Sequence, residues 1–407
     1  MKNSLLVIDP IISSQYFINR AMEKKIDIIA LKTFQPNNTY FDYENLNYKI
    51  ITSSGNPVDD IKKLQDYHLI AGMYGNENSV EYADKILNLL FPNTSNKTCS
   101  KLRYNKFDML SQLKKHNLPN IKQKLLLDNQ SVNELTEIAY EYFCQNNHNI
   151  IIKPSSGSAG SQGVFSPSSK EEIVNYFQQG EQNFLFTKGN YILKQKIIGI
   201  EYYVDTASYR GKHKIVAIGR YKKNFISGVN QYVYAENLNI DAPCFEQFKK
   251  QVIEILTILG MDNGLSHLEF LENNEKYYLL EINPRISGAH GMINYMSKLL
   301  NSYDQIDALL DLIAGSQINN QTNAIFCRTH FIATNNSGYS YFDSEPFKKI
   351  QSFKSIDIIK PAMIDKSKAN SLMDTAALVV LKAKTLEKLN QDSQKVYQIQ
   401  TEGSCFK

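Results

Sequence analysis

At 407 residues the chain exceeds one typical domain core, and its +4 net charge is spread along the sequence, which argues against nucleic acid binding. Its five cysteines are scattered, without Cys-x-x-Cys or Cys/His clusters, which argues against zinc and against a disulfide framework. No run of about 18 apolar residues is present to span a membrane, and the apolar run in Met1–Pro10 is too short for a signal peptide, so a cytoplasmic enzyme of two or three domains is expected.

The first hundred residues alternate between strand and helix patterns. Ser4–Ile8 reads as a buried strand, Ser13–Lys25 as a helix and Asp27–Leu31 as a second strand. Val58–Gln65 is helical, His68–Ala71 is a strand, and Ser79–Leu90 is an amphipathic helix with Val80, Ala83, Ile86, Leu87 and Leu90 on one face. This alternation predicts a parallel sheet. The loop after the first strand has no Gly-x-Gly-x-x-Gly, so the region does not read as a dinucleotide site. Phe91–Lys97, rich in Asn, Ser, Thr and Pro, marks a domain boundary.

A helix is expected over Lys101–His116. Asn149–Lys153 is a strand that runs into a glycine-rich loop, Ser155-Ser156-Gly157-Ser158-Ala159-Gly160-Ser161-Gln162-Gly163. Small residues let backbone N–H groups approach phosphate, and Lys153 stands at the strand end, within reach of one. No Gly-Lys-Ser/Thr follows, so this is not a Walker P-loop. Taken alone, the loop reads equally well as a surface hairpin, and Lys106 as a solvated lysine. Further on, Ser168–Gln178 is helical, Tyr191–Gln195, Glu201–Tyr209 and Lys214–Tyr221 are strands, and Cys244–Leu259 is a helix. Glu201 is an acid within a strand, where the plain alternative is an edge-strand charge. Ile293–Ile313 is helical, Ala376–Ala383 a strand and Leu386–Val396 a charged helix.

The strongest signal is a pair of strands, His267-Leu268-Glu269-Phe270 and Leu280-Glu281-Ile282-Asn283-Pro284-Arg285. Alternation puts His267 and Glu269 on one face of the first strand, and Tyr277, Leu279, Glu281 and Asn283 on one face of the second. Buried carboxylates need a nearby cation, and oxygen-only donors suit Mg2+, which then also holds substrate phosphates. For Glu269 and Glu281 to share a face, the connection must have odd length or one strand must carry a bulge. Otherwise the hairpin simply exposes its acids to solvent. Pro284 ends the strand and aims Arg285 near the site.

The order of these parts resembles the ATP-grasp superfamily: a lysine helix, a strand–Lys–Gly loop, a hinge with Gly199-Ile200-Glu201-Tyr202, then the Glu…Glu-x-Asn-Pro-Arg hairpin. The stretch from Asn76 to Leu118 is similar to carboxylate–amine ligases that include bacterial L-amino acid (dipeptide) ligases. The resemblance implies an ATP-grasp fold of mixed α/β (α+β) class in four parts. Residues 1–97 would form a Rossmann-like domain, 98–188 a small lobe with the glycine loop, 189–320 a large lobe with the metal site, and 321–407 a C-terminal extension. It also implies residue roles. Lys106 and Lys153 would contact ATP phosphates under a loop that includes Ser156, Gly157, Gly160, Ser161 and Gly163. Lys194, Gln195 and the chain to Ile198 would form an adenine hinge, largely through backbone groups, and Glu201 would take the ribose hydroxyls. Glu269, Glu281 and Asn283 would hold Mg2+, as two ions that Mn2+ can replace. Arg285, with Lys153, would act in catalysis on a phosphorylated intermediate. Such hinges often carry Glu where Gln195 stands. The implied activity is ATP-dependent joining of a small-molecule carboxylate to an amine through an acyl phosphate, with amino acids or peptide-like compounds as substrates. The alternative is phosphoryl transfer to a hydroxyl. His290 is a candidate general base, though a structural role reads better. Tyr202, Tyr203, Arg220, Arg328 and His330 are candidate specificity residues. No nucleic acid or membrane partner is expected, and a homodimer is the common state for such enzymes.

Overall fold

The computed structural model describes residues 2–10, 12–33, 48–127, 129–155, 163–182, 190–226, 229–316, 325–334, 338–363 and 375–407. The chain begins with β1 (Asn3–Ile8), α1 (Ile12–Glu23), β2 (Asp27–Lys32), β3 (Lys49–Thr52), α2 (Pro57–Leu64), β4 (His68–Tyr74) and α3 (Val80–Leu90). The four strands form a parallel sheet in the order β3-β2-β1-β4, as the alternation predicts. Every residue of β1 after Asn3 is buried, the pattern of a strand covered on both faces.

Next come α4 (Lys101–Tyr104) and α5 (Lys106–Lys115), where the sequence pattern predicts one helix. Asn105 breaks it. Its backbone is extended, and its side-chain oxygen accepts from the N–H groups of Phe107 and Asp108 at 3.0 and 3.1 Å. Asn competes well for such a capping position because its short amide mimics a backbone carbonyl. The break puts Lys106 at the start of α5, where its own N–H donates to the Ser155 carbonyl. Then follow β5 (Gln123–Leu126), α6 (Val132–Gln145), β6 (Ile150–Pro154), α7 (Lys170–Gln182) and β7 (Tyr191–Gln195). These strands form an antiparallel sheet in the order β5-β7-β6, so Tyr191–Gln195 pairs with the small sheet and not with the strands after residue 200. Ile150, Ile152 and Leu193 pack with Leu135, Phe143 and Phe177 from α6 and α7. Ladder parity therefore sends Lys153 and Lys194 out of the opposite face.

The rest comprises β8 (Ile200–Tyr209), β9 (Lys212–Ile226), β10 (Val229–Asn237), α8 (Glu246–Ile258), β11 (Gly264–Asn273), β12 (Lys276–Asn283), α9 (Met292–Asn301), α10 (Gln305–Ala314), β13 (Phe326–Ala333), α11 (Glu345–Lys348), β14 (Phe353–Ile358), β15 (Thr375–Ala383) and α12 (Leu386–Thr401). The eight strands form one antiparallel sheet, β12-β11-β8-β9-β10-β13-β15-β14, so the C-terminal strands extend the sheet that carries the acidic hairpin. The single helix expected over Ile293–Ile313 is two. Ser302 takes a left-handed conformation, and Asp304 starts α10 with a capping box to Asp307. Among the described residues no helix is long and apolar enough to cross a membrane.

One face of this sheet packs on α8. Leu268, Phe270, Leu279 and Ile282 join Phe248, Val252 and Ile255, and the Phe248 ring stacks on Tyr277 at 3.8 Å. The other face carries the acids. Asn96, past α3, links the N-terminal sheet to this sheet: its Nδ2 donates to the Tyr74 hydroxyl of β4 and to the carbonyl of Asn263, just before β11, and the Asn263 N–H donates to Asn96 Oδ1 at 2.8 Å. Phe248→Ala should lower unfolding stability by roughly 3–5 kcal/mol, as for other buried aromatic truncations. Urea unfolding checks this, and an unshifted midpoint would mean that the layer beneath the hairpin does not support it.

Candidate active site

The acidic hairpin closes with a two-residue turn, Asn274-Glu275, both at positive φ (51° and 62°), which pairs Asn273 with Lys276. A regular ladder from this turn would set Glu269 opposite Leu280. Instead the register shifts between Glu269 and Phe270, so that Leu280 has no partner and Glu269 lies directly opposite Glu281. His267 then lies opposite Asn283 on the same face. A bulge, and not an odd-length turn, supplies the required parity. It also corrects one expectation: Tyr277 and Leu279 do not share the face of Glu281 and Asn283, because they precede the bulge and turn with Phe270 toward α8.

Cations converge on this face. Lys106 Nζ lies 3.2 Å from Glu281 Oε2, and Asn283 Nδ2 lies 3.5 Å from Glu281 Oε1. Burial alone would raise the Glu281 carboxyl, but Lys106, Lys153 and Lys194 outweigh it and hold the group down at about 2. Burial lowers the Lys153 ammonium to about 8 against the pull of Glu281, and lowers Lys194 further, with Lys153 reinforcing it. Arg285 Nε donates to Glu77 Oε2 at 2.6 Å. Glu77 sits in the turn just past the C-terminal end of β4, an edge where parallel sheets commonly present ligand-binding groups. Beneath the acids, His267 Nδ1 is 2.6 Å from Asp205 Oδ1, and its Nε2 is 3.1 Å from the Tyr221 hydroxyl and 3.6 Å from Glu269 Oε1. Burial would lower the imidazolium, but Asp205 and then Glu269 carry it up to about 9.

Residues 146–293, from just before β6 through the acidic hairpin, match the family model described as the ATP-grasp domain. The chain carries an ATP-grasp domain. Dapdiamide A synthase of Enterobacter agglomerans is 25% identical over 272 residues, which span 65% of this chain and 61% of the synthase. The chain thus aligns with less than two thirds of that relative. L-amino acid ligase from Bacillus licheniformis has the same fold, with a TM-score of 0.74 at 14% identity over 97% of each chain. So does carboxyaminoimidazole ribonucleotide synthase from Aspergillus clavatus, solved with ATP, with a TM-score of 0.72 at 13% identity over 98% of this chain and 99% of that one.

Within the ATP-grasp domain, Glu201 faces the same side as Glu269 and pairs with Lys223 at 2.5 Å, and the Lys223 ammonium lies 4.0 Å from the Tyr232 ring centre. Burial raises the Glu201 carboxyl despite Lys223. Of the glycine-loop residues, Gly163 is described, with φ of 69°. Ser156, Gly157, Gly160 and Ser161 lie outside the described residues. The expected backbone hinge is partly committed inside the protein: the N–H groups of Gln195 and Lys196 donate to the carbonyls of Lys122 and Asn149, and the Ile198 carbonyl accepts from Asn273 Nδ2. The Ile198 side chain is 77% exposed. Gly199 is needed where it stands, because a Cβ there would lie 2.1 Å from the Glu272 carbonyl oxygen.

The specificity candidates fall elsewhere. Register puts Tyr202, Arg220, Glu236 and Arg328 in a row across β8, β9, β10 and β13, on the face opposite Glu269. Arg220 and Arg328 both pair with Glu236, and His330 meets the Ser393 hydroxyl of α12. Arg328 and His330 tie β13 to α12, while Arg220, with its side chain 41% exposed, flanks Glu236. Tyr203 is on the site face but fully buried, with its hydroxyl bonded to Asn237. His290 Nδ1 lies 2.8 Å from Asp357 Oδ2 of β14.

Three participants escaped the sequence reading. Asp205 follows Glu201 and Tyr203 at period two, so alternation alone could have placed it. Glu77 lies in the stretch from Asn76 that is similar to carboxylate–amine ligases, but that likeness attaches no role to it. Lys223 lies past the residue where the strand pattern fades. Among the described residues no group of three or more His, Cys, Asp or Glu side chains forms a ready-made metal site. The donors here are two carboxylates and an amide, an oxygen set that fits Mg2+ keeping water and phosphate ligands. A double-mutant cycle of Glu77→Gln with Arg285→Met should give a coupling of roughly 1–3 kcal/mol in urea unfolding. Additive effects would show that the N-terminal domain does not hold Arg285.

Proposed function

We propose that this protein is an ATP-dependent ligase that joins a carboxylate to an amine through an acyl phosphate, with amino acids or peptide-like compounds as substrates. The supporting observation is the facing Glu269–Glu281 pair, with Asn283 beside it and Lys106, Lys153 and Arg285 around it, in a chain that shares its fold with an L-amino acid ligase. Under this reading Glu269, Glu281 and Asn283 would hold Mg2+, as two ions that Mn2+ could replace. The metal supplies positive charge to the phosphate oxygens. Lys106 and Lys153 reach the same oxygens, and Glu201 takes the ribose hydroxyls.

The first step is attack of a carboxylate oxygen on the γ-phosphorus, and the electron pair of the broken P–O bond leaves with ADP. The second is attack of the amine on the acyl carbon, and inorganic phosphate leaves as the nitrogen loses a proton. Phosphoryl transfer asks the protein mainly for alignment and charge. Two unit charges about 4 Å apart interact by ~1 kcal/mol in water and ~4 kcal/mol at an effective dielectric of 20, so the enclosure of Lys153 and Glu281 strengthens every such contact. In the free protein Lys106 neutralises Glu281. On binding, phosphate oxygens would give the Lys106 ammonium an acceptor in place of Glu281, whose carboxylate would then be free to hold the cation. Arg285, held by Glu77, would face the acyl phosphate from the side of the N-terminal domain.

Supplied with ATP and Mg2+, the protein should release ADP and free phosphate only when both a carboxylate and an amine are present, in a screen of paired amino acids. A stable phosphorylated product would instead mark a hydroxyl phosphotransferase. Glu281→Gln should lower turnover on the order of 100-fold or more while leaving the circular dichroism spectrum unchanged. Full activity in that variant would remove the metal assignment.

A further inference from the structure

We infer that the side-chain ammonium of Lys194 binds the phosphate chain of the nucleotide, in addition to Lys106 and Lys153. This rests on the ATP reading above and changes the part Lys194 plays in it, from a backbone element of an adenine hinge to a charged side chain in the phosphate site.

Position comes first. Lys194 lies in the middle strand of the small sheet, opposite Gln123 on one side and Ile151 on the other. Its backbone is inside the ladder. Its neighbour Leu193 faces the apolar layer under α6 and α7, so the Lys194 side chain leaves the other face, as Lys153 does. There it is enclosed: Lys194 is 3% exposed, its Nζ meets the Lys153 amine, and no carboxylate or carbonyl among the described residues accepts from it. An ammonium removed from water without an acceptor is strongly disfavoured, so such a group is ordinarily paired.

The charge balance identifies what is missing. Lys106, Lys153 and Lys194 all act on the Glu281 carboxylate, which Lys106 already occupies at 3.2 Å. Three ammonium groups share one bonded carboxylate. Burial and the neighbouring Lys153 both disfavour the charged form of Lys194 in the free protein. An arriving anion of several charges would reverse that, since it supplies the absent acceptors and offsets the repulsion among the lysines. A triphosphate has that charge, and the lysines meet at the Glu281 end of the site where the metal would lie. Adenine, being neutral, would not satisfy the group in this way.

Lys194→Met keeps the length of the stem and removes the ammonium. In the full chain, binding of Mg·ATP, inorganic tripolyphosphate and adenosine should be measured by calorimetry and by thermal shift. The expected result is about tenfold or more weaker binding of Mg·ATP and tripolyphosphate, the scale of one lost charge-assisted contact. Adenosine binding should be unchanged, and the unliganded melting temperature should be equal or higher because a buried amine with no acceptor is gone. Lys194→Gln, which keeps a polar head without charge, should lose the same affinity. Unchanged tripolyphosphate binding in Lys194→Met, full affinity in Lys194→Gln, an equal loss for adenosine, or a marked drop in unliganded stability would each overturn the inference. Should the wild-type chain bind neither ATP nor tripolyphosphate, the nucleotide reading itself fails. Wild-type binding that Lys194→Met leaves intact removes this inference alone.

Discussion

Glu269 and Glu281 face each other because Leu280 is left out of the pairing between their strands. The turn at Asn274-Glu275 sets the ladder, and an unbroken ladder would point Glu281 into the apolar layer with Phe248 and Phe270. A carboxylate there would have no cation and would be forced neutral. The bulge turns it to the other face, where Lys106 lies within 3.2 Å. Everything chemical in the site follows from that one shift of register. Apolar residues before the bulge secure the hairpin to α8, and polar residues after it meet the lysines.

The site is assembled from three separately built pieces. The small sheet brings Lys153 and Lys194 on one face, and the cap at Asn105 fixes Lys106 beside the end of β6. The large sheet brings Glu201, Asp205, His267, Glu269 and Glu281 on one face. The parallel sheet brings Glu77, just past β4, which holds Arg285. None of these pieces has the full set. Opposite charges on different pieces draw them together, and an enclosed cleft makes those attractions worth more than they would be at the surface. The same enclosure would keep water from the phosphorylated intermediate of the proposed reaction.

Much of this was legible in the sequence, for reasons that differ by residue. Glu269, Glu281 and Asn283 stood out because acids in a half-buried strand violate its alternation, and the need for a bulge or an odd turn followed from counting residues. The parallel N-terminal sheet was legible because apolar periodicity switches cleanly between strand and helix. The breaks at Asn105 and at Ser302–Asp304 were hidden, since capping depends on the conformation of a single residue within a pattern that stays helical on either side. The places of the arginines are hidden for a similar reason. Arg220 and Arg328 look like cleft residues in a chain that uses few arginines, but which face a strand residue takes depends on register across four strands, and their partner Glu236 lies on a strand the pattern did not show. The side chain of Lys194 is hidden because the resemblance of its segment to a hinge concerns the backbone.

The claim at the centre of this account is that the two facing carboxylates hold a divalent ion against a bound triphosphate. Electron–nuclear double resonance of Mn2+ added with ATP tests it directly. The account predicts that protein-bound Mn2+ shows 31P couplings from the nucleotide, and that bound Mn2+ is lost when Glu269 and Glu281 are both changed to Gln. Mn2+–ATP bound equally well by that double variant, with its phosphorus couplings intact, would contradict it.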